Sequence, residues 1–232
     1  GQEACGIATI NDREQSFYKD VGLVSEVFDK QTLQRLNGTM AVGHVRYATT
    51  GARERENAQP LTIKYVKGTL AVVHNGNLVG VDQLRQKFEY QGAIFHTTSD
   101  SELIAYAIAQ ARLRCASVEE AVCQAASKLR GAFSLLVMSP QKLIACRDPW
   151  GFRPLCMGRK GQAILFASES CAIEAVGGKG AAGIGDGTGA PYEIDPDAPP
   201  SNPSNPNHII ISGDAEVEAK AGASTGGKTA AI

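Results

Sequence analysis

The strongest constraint on this chain is a set of short apolar segments that arrive in close pairs. CGIATI, TMAVGHV, LTIKYV, TLAVVHN, FSLLVM, KLIACR, PLCMG and AILFAS are rich in Val and Ile and bounded by Gly, Pro, Asp or Asn, the marks of β-strands. Segments 60–66 and 69–74, 133–138 and 142–147, and 155–158 and 163–167 are joined by links too short for a parallel crossover, so each pair is expected as an antiparallel hairpin. Three stretches have helical periodicity instead. Val81, Leu84 and Phe88 share one face of VDQLRQKFEY. Leu103, Ile104, Ala107 and Ile108 do so in DSELIAYAIAQARL, and Val118, Ala121, Val122 and Ala125 in SVEEAVCQAASKL. Asp100 and Ser117 are the expected N-caps, Ser117 with Glu120 as a capping box. These helices fall together between two strand-forming blocks. The expected fold class is α+β, with two antiparallel sheets face to face and helices outside.

The formal net charge of −1 gives no broad attraction to nucleic acid or to an anionic membrane, so neither is expected as a partner. No apolar run approaches the roughly 18 residues of a membrane span, and no basic start with an apolar middle marks a signal peptide. The chain starts at Gly1 rather than Met, which is read as a processed, engineered or truncated end. Six cysteines occur without a CxxC pair. The expectation is a reducing cytoplasm, no disulfide frame and no metal site.

Composition breaks near Gly177. Residues 177–232 contain no Arg, Leu, Phe, Met, Trp or Cys and hold six of the ten prolines, too little apolar surface to offset ordering entropy. The reading is a domain over 1–176 and a Gly/Pro/Ala-rich tail over 177–232, linker or disordered, in which HIII at 208–211 is the only strand-like piece. GASTGGKT at 222–229 fits G-x-x-x-x-G-K-[ST]. A phosphate loop needs a helix directly after it, and the chain stops three residues later, so chance is the favoured reading.

Several motifs carry candidate chemistry, each beside a plainer reading. In GHVRYATTG at 43–51, Arg46 at a strand end suits a fork onto a carboxylate, and equally a structural ion pair. In AVVHNGNLV at 71–79, Asn-Gly reads by pattern as a hairpin turn. Alternatively the Asn75 amide and the Gly76 N–H form an oxyanion hole. In HTTSDSE at 96–102, Asp100 is either a helix cap or the partner of a substrate ammonium. In DPWGFRPL at 148–155, Asp148 and Arg153 are read as a structural pair. Cys5, in the opening GQEACGI, is either strand packing or a nucleophile that a short trim would expose.

Taken in order, GHVRYATTG, NAQP at 57–60, HNGNL, TTSDSE, RGAFSLLVM, RDPWGFRPL and FASESCA resemble the N-terminal glutaminase domain of the glutamine phosphoribosylpyrophosphate amidotransferases, and VGLVSEVF at 21–28 does so too. The resemblance covers residues 1 to about 176. It implies the four-layer αββα sandwich of N-terminal-nucleophile hydrolases. It also implies a mechanism: a cysteine at the mature N-terminus, with its own α-amino group as base, attacks the glutamine side-chain amide. Ammonia leaves and water hydrolyses the thioester. Carried over, Arg46 holds the glutamine α-carboxylate, Thr49 helps bind that end, Asp100 binds the α-amino group, and Asn75 and Gly76 form the oxyanion hole. In the whole enzyme of that family, a glycosyltransferase, ammonia passes to a phosphoribosyltransferase domain and displaces pyrophosphate from phosphoribosyl pyrophosphate, the first step of de novo purine synthesis. Mg2+ is expected only for that second domain; the glutaminase domain takes no cofactor. The full-length enzymes are expected to be homo-oligomers.

Two departures shape the expectation. The tail does not resemble a phosphoribosyltransferase domain. GQEACGI matches the family's second landmark, a Gly-Ile strand after a helix ending like QHRGQES, rather than its Cys-Gly-Ile start. The fold is therefore expected to be missing its first strand and helix, with the nucleophile upstream of Gly1 and this chain inactive alone. Two alternatives are a shortened glutaminase using Cys5 after cleavage at Ala4, and a non-catalytic glutamine-binding or scaffold protein of the same fold.

Overall fold

The computed structural model describes residues 3–47, 54–175, 179–183, 209–212 and 217–219, with side chains through Ile173. In chain order the strands begin with β1 (Ala4–Asn11), β2 (Glu14–Val21) and β3 (Met40–Arg46), with short helices α1 (Val24–Val27) and α2 (Lys30–Arg35) between the last two. Then come β4 (Leu61–Tyr65), β5 (Gly68–Leu78), α3 (Val81–Glu89), α4 (Asp100–Arg112), α5 (Val118–Ala126), β6 (Gly131–Met138) and β7 (Lys142–Arg147). The last elements are β8 (Cys156–Lys160), β9 (Ala163–Ala167), α6 (Ser170–Ala175), β10 (Lys179–Gly183), β11 (Ile209–Ser212) and β12 (Val217–Ala219).

They form three antiparallel sheets ordered β2-β1-β3, β10-β8-β9 and β12-β11-β7-β6-β5-β4. The three expected hairpins are all present, as β4–β5, β6–β7 and β8–β9. A fourth, β1–β2, turns at Asp12 and Arg13, with Asn11 opposite Glu14. Both turn residues have positive φ, 50° and 71°, which suits the right-handed twist of a hairpin.

Two apolar layers hold the sandwich. Ala8, Ile10 and Val42 of the small sheet meet Ala71, Val73 and Met138 of the large one. On its other face the large sheet presents Leu70, Val72, Phe133, Leu135 and Val137 to Leu103, Ile104 and Ile108 of α4 and Val122 of α5. Alternate residues of β5 thus serve opposite cores. Each of these large side chains contributes about 1.5–3 kcal/mol by leaving water. The expected face-to-face sheets with helices outside are therefore present.

Some expectations need correction. Asn75-Gly76 is not a hairpin turn: β5 runs through it to Leu78, paired with β6. Gly76 has φ 143°, and a Cβ there would lie 2.1 Å from the Ala132 carbonyl oxygen, so the strand passes only without a side chain. Asp100 is not the N-cap of α4: Ser99 is, accepting from the Ser101 N–H, and Asp100 is the first helical residue. Ser117 does cap α5, but the Glu120 carboxylate accepts from the Ala116 N–H instead of the Ser117 N–H that a capping box requires. Asp148 does not rest on Arg153; its carboxylate accepts from the backbone N–H groups of Phe133, Trp150 and Phe152. In the tail, β11 pairs with β7 and β12 with β11, so the HIII segment joins the large sheet. Positions 222–229 lie outside the described residues, and no helix among those described is long and apolar enough to cross a membrane.

Candidate functional site

β3, β5 and the start of α4 bring the polar residues together. β3 packs across the sandwich against β5 and β6, and its inward-facing residues toward the last turn are His44 and Arg46. Arg46 is buried and stands opposite Ala4 of β1. On the facing sheet, β5 carries His74, Asn75 and Gly76 in succession. Thr49 lies outside the described residues.

Asp100 is tied directly to the end of β5. Its Oδ2 accepts the Leu78 N–H at 3.0 Å, and its Oδ1 lies 3.6 Å from His74 Nδ1. Burial alone would raise the Asp100 pKa. The nearby His74 ring, with the N–H groups of Leu78 and Ser101, outweighs it and holds the carboxyl below its ordinary 3.8. Its place at the head of a thirteen-residue helix acts in the same direction. The result is an anionic group, mostly buried, at one end of the site.

His44 lies on β3, the strand that packs against β5. Its pKa is pushed down to about 4, first by burial, then by the charges of His74 and Arg46.

A layer of buried polar residues supports these groups. Gln59 Oε1 accepts the His74 N–H at 2.6 Å, while its Nε2 donates to the His74 carbonyl and to Ser101 Oγ, each at 3.2 Å. The amide thereby satisfies both backbone groups of a residue beside the site, which would otherwise be unpaired on that edge. Gln59 precedes Pro60 through a cis peptide. A Cβ on Gly6 would lie 2.4 Å from the Gln59 carbonyl oxygen, so Gly6 of β1 is what allows this segment to sit against the small sheet. Lys19 of β2 donates to the Ala58 and Glu56 carbonyls; burial, aided by Arg55, lowers its pKa to about 8. Asn57 accepts from the Thr98 N–H and donates to its hydroxyl, joining the NAQP segment to the loop before Asp100.

Cys5 is placed differently. It is 1% exposed in the middle strand of the small sheet, between Asp20 and Val45, and its thiol points toward the Gly22 carbonyl. Burial raises its pKa, whereas a nucleophilic thiol requires the thiolate. Among the described residues no group of three or more His, Cys, Asp or Glu could hold a metal ion.

Asp100 is thus joined to the strand that carries Asn75 and Gly76, and Arg46 lies buried on β3, which packs against that strand; Gln59, His74, Ser101 and His44, next to these groups, were not singled out from the sequence. NAQP and HNGNL carried the only signal for Gln59 and His74. Chemically, the Asp100 carboxylate, held charged at the end of β5, suits a cationic group.

Comparison with known proteins points the same way. A family model described as a glutamine amidotransferase domain matches residues 44–175. The amidophosphoribosyltransferase of Methanocaldococcus jannaschii is 47% identical over 173 residues, 75% of this chain and 37% of the relative. That of Bacillus subtilis is 42% identical over 178 residues, 76% of this chain and 37% of the relative. The curated relatives compared are covered over only 31–39% of their length. A solved structure of the glutamine phosphoribosylpyrophosphate amidotransferase of B. subtilis, complexed with ADP and GMP, superposes with a TM-score of 0.75 at 35% identity, covering 94% of this chain and 43% of that one. With the family model matching more than half of its length, and with Arg46, Asn75, Gly76 and Asp100 all inside the matched span, this chain belongs to the glutamine amidotransferase domain family.

Proposed function

We propose that this chain is the glutamine-binding, ammonia-releasing part of an amidophosphoribosyltransferase, an enzyme that places ammonia on phosphoribosyl pyrophosphate to make phosphoribosylamine at the start of purine synthesis. The observation that carries the reading is the joint of Asp100 to β5: one carboxylate is fixed, through Leu78, to the strand that bears Asn75 and Gly76. In this reading Asp100 takes the glutamine ammonium and Arg46 its carboxylate, with Thr49 assisting. The Asn75 amide and Gly76 N–H receive the amide oxygen as it becomes an oxyanion. Ammonia acceptance belongs to a phosphoribosyltransferase domain, which accords with the 31–39% coverage of the relatives. Mg2+ belongs to that domain as well, and the complete enzyme is a cytoplasmic homo-oligomer.

Cys5 is not the nucleophile in this reading, because its thiol is buried and its pKa raised. The chain as it stands binds glutamine without hydrolysing it. Calorimetric titration with L-glutamine tests this directly. One-to-one binding is expected, with affinity reduced roughly 10- to 100-fold in Asp100→Asn and Arg46→Gln, the range for hydrogen bonds to charged groups. Absence of heat in the unaltered chain, or affinity unmoved by both substitutions, overturns the proposal.

A further inference from the structure

His74 has two ring nitrogens in unlike surroundings. Nδ1 lies 3.2 Å from Ser101 Oγ and 3.6 Å from Asp100 Oδ1. Nε2 is buried without a hydrogen-bond partner and sits beneath Gly76, 2.8 Å from where a Cβ would project. The side chain is 1% exposed.

Two arguments fix the proton on Nδ1. A bare Nδ1 would turn its lone pair toward the negative Asp100 carboxylate. The alternative neutral tautomer would also bury an unpaired N–H at Nε2, and orphaned buried donors are rarer than orphaned acceptors. With the proton on Nδ1, the ring donates toward Asp100 and Ser101, and Nε2 is left as an acceptor under Gly76. Gln59 holds the same unit from behind, pairing with the His74 backbone and with Ser101 Oγ.

We propose that His74 is a positioning residue: its Nδ1–H orients the Asp100 carboxylate for an ammonium group and locks it to the strand that presents Asn75 and Gly76. The ring touches neither the reacting amide nor the nucleophile. It makes the distance from amino-group anchor to oxyanion hole a fixed length, set by one imidazole lodged between Asp100 and Gly76. The substrate part of this inference rests on the glutamine reading above; the protonation state does not.

Two measurements test it on the full chain. Long-range proton–nitrogen correlation spectra at neutral pH report the tautomer. A proton on His74 Nδ1 is expected, and an imidazole protonated only at Nε2 overturns the proposal. Calorimetry then compares L-glutamine with glutaramate, which lacks the α-amino group. His74→Ala and His74→Gln should weaken L-glutamine roughly 10-fold and leave glutaramate unchanged. His74→Asn, whose amide reaches the Nδ1 position, should stay within roughly threefold of the unaltered chain. Equal loss for both ligands, or no rescue by His74→Asn, assigns the ring a packing role and overturns the proposal. If the unaltered chain binds neither ligand, the glutamine reading fails, and the tautomer alone decides whether His74 orients Asp100.

Discussion

β5 and β1 face each other across the sandwich, and each is hydrogen-bonded on both sides, β5 by β4 and β6, β1 by β2 and β3. Both carry a reactive residue type near one end. At His74–Leu78 the buried polar groups find partners from outside the sheet: Gln59 for the His74 backbone, Asp100 for the Leu78 N–H, Ser101 for the imidazole. At Cys5 the thiol faces the Gly22 carbonyl, and burial raises its pKa. The difference is not depth but partnership. Burial beside N–H donors holds Asp100 charged and aimed; burial beside a carbonyl acceptor keeps Cys5 neutral.

The largest expected effect is at Gly76. Gly76→Ala forces a side chain onto φ 143° and against the Ala132 carbonyl, and should cost about 3–5 kcal/mol by urea denaturation. A loss under 1 kcal/mol would mean that β5 has room at the very point where the site is built. Next is pH. His44 titrates near 4 in the folded chain against its ordinary 6.5, so the unfolded chain binds the proton first. Stability is fully present above pH 6.5 and should fall by about 3 kcal/mol as pH drops to 4. Asp100 contributes in the same sense only below its ordinary 3.8, so the two windows separate. A His44→Gln chain should lose most of the slope between pH 6.5 and 4; an unchanged slope would remove His44 from the buried cluster.

Gln59→Leu comes third. It strips the His74 N–H and carbonyl of their partner and should cost about 2–4 kcal/mol in denaturation, the penalty for buried unsatisfied groups. The smallest effect is at Cys5. Cys5→Ala removes only a buried sulfur and should cost about 1 kcal/mol, with glutamine binding unaltered in calorimetry. Loss of binding in Cys5→Ala would erase the contrast between the strands.

Much of this architecture is readable from pattern alone, because the three long helices and the paired strands have clear periodicities. β2, EQSFYKDV, is not. It is an edge strand with largely solvated or half-buried side chains, so no apolar run marks it. Asn75-Gly76 misleads for the opposite reason: its turn signal is local, while the β6 pairing that carries β5 onward is not. Of the candidate site, the motifs single out Arg46, Asn75, Gly76 and Asp100, and the structure joins Asp100 to the strand of Asn75 and Gly76. The residues behind them are not legible, since Gln59 acts on partners 15 and 42 positions away and leaves no local trace.

The most direct test of the account is an amide chemical-shift map of the chain titrated with L-glutamine. Shifts that saturate together at Arg46, Gly76, Leu78 and Asp100, with Cys5 unmoved, are the predicted result. Shifts centred elsewhere, or centred on Cys5 with Asp100 unmoved, would contradict it.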